Sequence, residues 1–135
     1  MTKVLIFGSF DLIHKGHLYF FKSAKKLGTH LTIVVARDKT ILKIKKNPPL
    51  YSEQQRLQHV QNTKIPNQVI LGYKTNPYKI IQKINPDIIA LGYDQNSFTK
   101  KLNQELKKLN LNPKIIRLKS YKPEIYKSSK LKTID

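Results

Sequence analysis

Apolar residues in this chain fall in short unbroken runs, separated by longer segments where they recur at helical spacing. The runs are Lys3 to Gly8 (KVLIFG), Leu31 to Ala36 (LTIVVA), Gln68 to Leu71, Asp87 to Leu91 (DIIAL) and Lys114 to Leu118 (KIIRL). They are short and rich in β-branched residues, which marks them as strands. A strand that is apolar throughout is buried on both faces, so the runs predict a parallel sheet with helices above and below. Between them, Leu18, Phe21, Ala24 and Leu27 share a helix face, with Gly28 as the expected stop. Ser52 with Gln55 predicts a capping box opening a helix that runs to about Asn62. Pro77 to Ile84 is expected to be helical and is broken by Asn85-Pro86. Ser97 to Leu109 is an amphipathic helix, and Ser128 to Ile134 a short final one. The lysine-rich stretch Arg37 to Pro49 predicts a short helix, then a mobile loop carrying Lys43, Lys45 and Lys46. Together these elements predict a single α/β domain over residues 1–135 with a five-stranded parallel sheet. In such sheets ligands bind beyond the carboxyl ends of the strands, where strand order reverses. Three polar segments lie at such ends: Ser9 to His17, Arg37 to Lys46, and Gly92 to Gln95.

Composition narrows the classes. The net charge is +18, and a basic protein attracts polyanions. Yet 23 of the 26 basic residues are lysine, and only Arg37, Arg56 and Arg117 are arginine. Proteins that read base sequence favour arginine, whose fork matches guanine. The spread lysines are therefore read as compositional habit, with a dedicated nucleic-acid surface as the lesser alternative. There are no cysteines, which excludes disulfides, thiolate metal sites and a cysteine nucleophile. No apolar run reaches the roughly 18 to 20 residues of a membrane helix. Val4 to Phe7 is too short for a secretory signal, so a cytoplasmic location is expected.

The chemistry concentrates in Gly8-Ser9-Phe10-Asp11 followed by His14-Lys15-Gly16-His17. Gly8 is expected to let the backbone approach a ligand closely at the end of the first strand. The helix starting near Gly16 points free N–H groups at the same place, which suits phosphate. His14 and His17 are three apart, so both project from one side of the first turn. A bare pair of this kind also fits two ordinary histidines or a metal site. Zinc would want a third ligand, and neither His30 nor His59 lies in a segment expected to reach the pair.

GSFDLIHKGH resembles the GxFDxxHxGH signature of the cytidylyltransferase-like superfamily. AlaArgAsp (36–38), SerGluGlnGlnArg (52–56), ProAspIleIleAlaLeuGlyTyrAspGln (86–95) and SerSer (128–129) follow in the family's order. The resemblance implies a Rossmann-like three-layer sandwich. It also implies in-line attack of an acceptor phosphate on the α-phosphorus of a nucleoside triphosphate, with Mg2+ or another divalent cation and no covalent enzyme intermediate. By resemblance, His14, His17 and Lys46 are the catalytic group. Gly8, Ser9, Phe10, Gly16, Lys43, Lys45, Asp94, Ser128 and Ser129 join the two histidines in holding the nucleotide. Asp11 and Arg56 fall on the acceptor side. Asp11's own chemistry points instead to orienting a backbone turn or holding a lysine. No resident metal site is visible, and a homodimer is expected by resemblance alone.

Cytidylyltransferases carry an arginine-threonine pair shortly before the hydroxyl motif. Here that stretch, Ser120 to Lys127, has no arginine, and Lys122 is no bidentate fork. This absence, with AlaArgAspLysThr (36–40) and LeuGlyTyrAspGln (91–95), brings the chain nearer to archaeal FAD synthases. The first expectation is therefore FMN adenylyltransferase activity, with ATP and FMN as small-molecule substrates. Tyr73, Tyr78, Tyr93, Phe98, Tyr121 and Tyr126 are the aromatic candidates for a flavin floor. The second is a CTP-dependent enzyme acting on glycerol 3-phosphate or a similar phosphorylated alcohol. The third is an inactive nucleic-acid-binding module.

Overall fold

The computed structural model describes residues 1–93 and 95–119. The strands are β1 (Lys3–Gly8), β2 (His30–Val35), β3 (Gln68–Leu71), β4 (Ile88–Leu91) and β5 (Lys114–Arg117). The helices are α1 (Lys15–Lys25), α2 (Asp38–Lys45), α3 (Glu53–Asn62), α4 (Lys79–Ile84) and α5 (Asn96–Lys108). All strand pairs are parallel, in the order β3-β2-β1-β4-β5.

Alternation along each strand explains the two cores. Val4 and Ile6 of β1 join Leu31, Ile33 and Val35 of β2 on one face, where they meet Phe21 and Ala24 of α1 and Val60 of α3. Leu5 and Phe7 point the other way, with Ile80 and Ile81 of α4 and Leu102 and Leu106 of α5. A sheet covered on both faces needs strands without polar positions, which is why β1 reads as an unbroken apolar run. Phe21 is fully buried; removing such a side chain from water contributes about 1.5–3 kcal/mol.

Three local expectations change. Gly28 does not end α1 in a left-handed turn, since no described glycine has positive φ. It lies against β1 instead, where a Cβ would fall 2.8 Å from Val4 Cγ2. Lys43 and Lys45 stand on the last turn of α2 rather than on a loop, and only Lys46 is past it, as a left-handed C-cap at φ 61°. The histidine helix begins one residue earlier than expected from Gly16, at Lys15, for a reason that lies in the site itself. Among the described residues no helix is long and apolar enough to cross a membrane. The expected helix at Ser128 to Ile134 lies outside the described residues, as do Asp94, Ser128, Ser129, Tyr121, Lys122 and Tyr126.

Candidate active site

Strand order reverses between β1 and β4, and the loop after β1 enters α1 at that point. His14 is the N-cap of α1, and its Nδ1 accepts the Gly16 N–H at 3.0 Å. His17 occupies the third helical position, and its Nδ1 accepts the His14 N–H at 3.3 Å. The two histidines thus form a reciprocal capping box, a role that Ser or Thr with Glu or Gln usually fills. This capping starts the helix at Lys15. Their rings lie 4.0 Å apart, centroid to centroid.

The arrangement settles the tautomers. A ring nitrogen that accepts a hydrogen bond carries no proton, so each neutral imidazole bears its N–H on Nε2. Burial, reinforced by the neighbouring His14, pushes the His17 pKa from 6.5 down to about 3, and a hydrogen bond to the Leu12 carbonyl opposes this only in part. His17 is therefore neutral near pH 7. With Nδ1 accepting the His14 N–H, His17 fixes the backbone of its own turn.

Phe10 sits beneath this pair. Its φ is 51°, a left-handed conformation that a bulky residue adopts only when its surroundings compel it. Its ring is buried, edge-on to His17 at 5.5 Å and to Phe21 at 5.1 Å. The same ring fills the space over Gly8, where a Cβ would fall 2.7 Å from Phe10 Cε1. Gly8 makes room for the Phe10 ring, and that ring supports His17 from within the core.

Asp11 is buried, and its carboxylate accepts the N–H groups of Leu50 (2.7 Å) and Tyr51 (2.9 Å). It orients a backbone turn, the role its chemistry suggested. Arg56 differs from expectation most. Placed on the acceptor side by resemblance, it is 0% exposed. Its guanidinium donates to Ser9 O (2.8 Å), Ala36 O (2.8 Å), Tyr51 O (3.0 Å) and Asp38 Oδ1 (2.6 Å). Four of its five N–H groups are thereby engaged with protein oxygens. Arg56 ties together the loop after β1, the loop after β2 and the entry to α3. Nearby, Glu53 accepts from Arg37 NH1 (2.8 Å) and Asp38 N (3.0 Å). The Asp38 N–H and then Arg37 hold the Glu53 carboxyl below its ordinary range.

Lys43, Lys45 and Lys46 are exposed. The structure thus brings His14, Gly16 and His17 together at one helix start and puts Lys43 and Lys45 on the last turn of the next helix, with Lys46 as its C-cap. On the far side of the reversal, Gln95 donates from Nε2 to Phe7 O (2.7 Å) and accepts the Gly92 N–H at Oε1 (2.8 Å). Arg117 NH1 donates to Gly92 O at 2.6 Å. Sequence reading named Gln95 only as the end of the polar segment Gly92 to Gln95 and gave Arg117 no site role; nothing local shows that the Gln95 side chain meets a partner 88 residues away.

Comparison with known proteins adds a second line. Residues 5–134 match the family model described as cytidylyltransferase-like. A FAD synthase of Archaeoglobus profundus is 43% identical over 129 residues, covering 96% of this chain and 82% of that protein. A FAD synthase of Thermococcus sibiricus is 40% identical over 131 residues, covering 96% and 88%. Among solved structures, the lipopolysaccharide core biosynthesis protein of Thermoplasma volcanium superposes with a TM-score of 0.81 at 36% identity, covering 90% of this chain and 98% of that one.

Proposed function

The chain belongs to the cytidylyltransferase-like family, and from that membership we propose that this nucleotidyltransferase is an FMN adenylyltransferase. A phosphate oxygen of FMN attacks the α-phosphorus of ATP. A new P–O bond forms, the bond between the α-phosphorus and its bridging oxygen breaks, and FAD and pyrophosphate result. The observation that carries the flavin assignment is the similarity to FAD synthases along nearly the whole chain.

The acceptor phosphate is already an anion and pyrophosphate leaves readily, so no general base is required. The work is positioning and charge stabilisation. His14, fixed through Nδ1 by the Gly16 N–H, would give its Nε2–H to a triphosphate oxygen at the N-terminus of α1. That end of the helix favours the charge developing on the triphosphate. His17 fixes the His14 backbone and, neutral at pH 7, can donate its remaining N–H to the same phosphates. The α2 lysines Lys43 and Lys45, with Lys46, supply point charges for the β- and γ-phosphates.

A divalent cation fits this site as part of the nucleotide substrate. Among the described residues no three His, Cys, Asp or Glu side chains cluster as a ligand set, whereas Mg2+ is commonly held by substrate phosphates. Bound there, it neutralises triphosphate charge.

The test is pyrophosphate release with ATP or CTP crossed against FMN and glycerol 3-phosphate, with FAD followed by chromatography. A signal confined to ATP plus FMN is expected. His14→Ala should lower that turnover at least about a hundredfold through lost transition-state stabilisation. A signal confined to CTP, or none with any pair, overturns the proposal.

A further inference from the structure

The β1–β4 ladder stops early. Its register pairs Val4 with Ile88 and Leu5 with Ile89, and no pair follows. On the other side of β1, the β1–β2 ladder continues to Gly8 and Val35. Extending the β1–β4 register would set Phe7 opposite Leu91, and the next parallel rung would run from the Gly92 N–H to the Phe7 carbonyl. That rung is absent as a direct bond. The Gln95 carboxamide stands in its place, with Gly92 N–H donating to Oε1 (2.8 Å) and Nε2–H donating to Phe7 O (2.7 Å). A side-chain amide has the same donor and acceptor as a peptide, so it fits into a ladder as a spacer one amide wide.

We propose that Gln95 is a positioning residue: inserted into the β1–β4 ladder, it holds the strand ends apart and keeps the nucleotide crevice open at the reversal point. The proposal rests on the nucleotidyltransferase reading of the same site. Several contacts hold the wedge in register. The Gln95 N–H donates to Gly92 O at 3.2 Å. Arg117 NH1 donates to the same carbonyl at 2.6 Å, and the Leu118 N–H donates to Leu91 O at 2.8 Å. The Gly92 peptide is thus gripped on both its N–H and its C=O. On the β1 side, Phe7 is two residues before Ser9, whose carbonyl Arg56 holds. Phe7 itself is held in register with Val34 of β2, on the β4 side Gly92 is held by Arg117, and the Gln95 amide bridges the two.

A wedge differs from an ordinary structural hydrogen bond in what its removal does. In Gln95→Ala the Gly92 N–H can bond directly to Phe7 O, completing the ladder. The fold should therefore survive while the crevice narrows. In Gln95→Glu the side chain keeps its length and the Gly92 contact, but a carboxylate oxygen faces the Phe7 carbonyl without a donor.

The experiment measures ATP binding calorimetrically in the absence of FMN, and then KM for ATP and FMN, on the full chain and both variants. Thermal unfolding is followed alongside. Both variants should lose about tenfold or more in ATP affinity, the scale of effect that a small misplacement of a binding wall produces. KM for FMN should stay within about twofold, and Gln95→Ala should melt within a few degrees of the parent. Unchanged ATP binding in a folded Gln95→Ala protein overturns the proposal. So does an equal rise in both KM values, which would mark Gln95 as a general structural residue. Wild-type protein that binds ATP but makes no FAD counts against the flavin assignment and leaves the wedge to be judged by calorimetry alone.

Discussion

Replacing Arg56 by methionine keeps much of the side chain's length and removes its guanidinium. Four acceptors lose their donor together: the carbonyls of Ser9, Ala36 and Tyr51 and the carboxylate of Asp38. Removing one partner of a buried charged pair costs about 3–5 kcal/mol, because the groups left behind are desolvated and unpaired. The Asp38 side chain is 43% exposed and can be rehydrated, which moves the expectation to the lower end, about 3 kcal/mol. For a domain of this size that corresponds to a fall in melting temperature of roughly 10 °C. The assay is thermal unfolding by circular dichroism, with Asp38→Asn and the double variant completing a cycle. The cycle should show coupling, since the two residues share one hydrogen bond. Arg56→Lys should rescue little, because one ammonium cannot span the loops that the planar fork joins. A melting temperature within about 2 °C of the parent, together with a raised KM for the acceptor, would refute this reasoning. It would return Arg56 to the acceptor site that resemblance assigned it.

Two other consequences follow from the histidine turn. The folded-state pKa of His17 is about 3 against 6.5 for the free side chain. Between those values the unfolded chain binds a proton that the folded chain does not. The stability this contributes is complete above about pH 6.5 and is lost as pH falls, by about 2 kcal/mol between pH 7 and 5. His17→Gln keeps a capping-box residue without the titration, so its denaturation midpoint should fall less over that range; identical slopes would contradict the assignment. Gly8→Ala drives a Cβ into the Phe10 ring, and should cost about 1–3 kcal/mol as overpacking and lower turnover by shifting His17. An unchanged melting temperature and rate would show that Phe10 gives way freely.

Much of this protein is legible from local pattern. All five runs became strands of one parallel sheet, with β1, β2 and β4 buried as an unbroken apolar run requires and the edge strands β3 and β5 only partly covered. Ser52 and Gln55 form the capping box that their spacing predicts. The histidine motif could be found because its geometry is local too: both capping bonds join residues within one turn. The alternation of strands and helices put it at a strand's carboxyl end; that strand order reverses there, between β1 and β4, was decided by the sheet.

Tertiary structure decided the rest, and the reason is range. A surface helix and a buried keystone give Arg56 the same neighbours in sequence, whereas its hydrogen bonds reach back 47 residues to Ser9 and 20 to Ala36. Gly8 and Gly28 both announce a special backbone position, but the sequence does not say what fills the space. The structure assigns it to Phe10 in one case and to β1 in the other. The Gln95 amide stands between strand ends that lie far apart in the chain and adjoin only once the sheet is formed. Periodicity determines which face of an element is buried; which distant atom meets a given polar group is decided only when the elements pack.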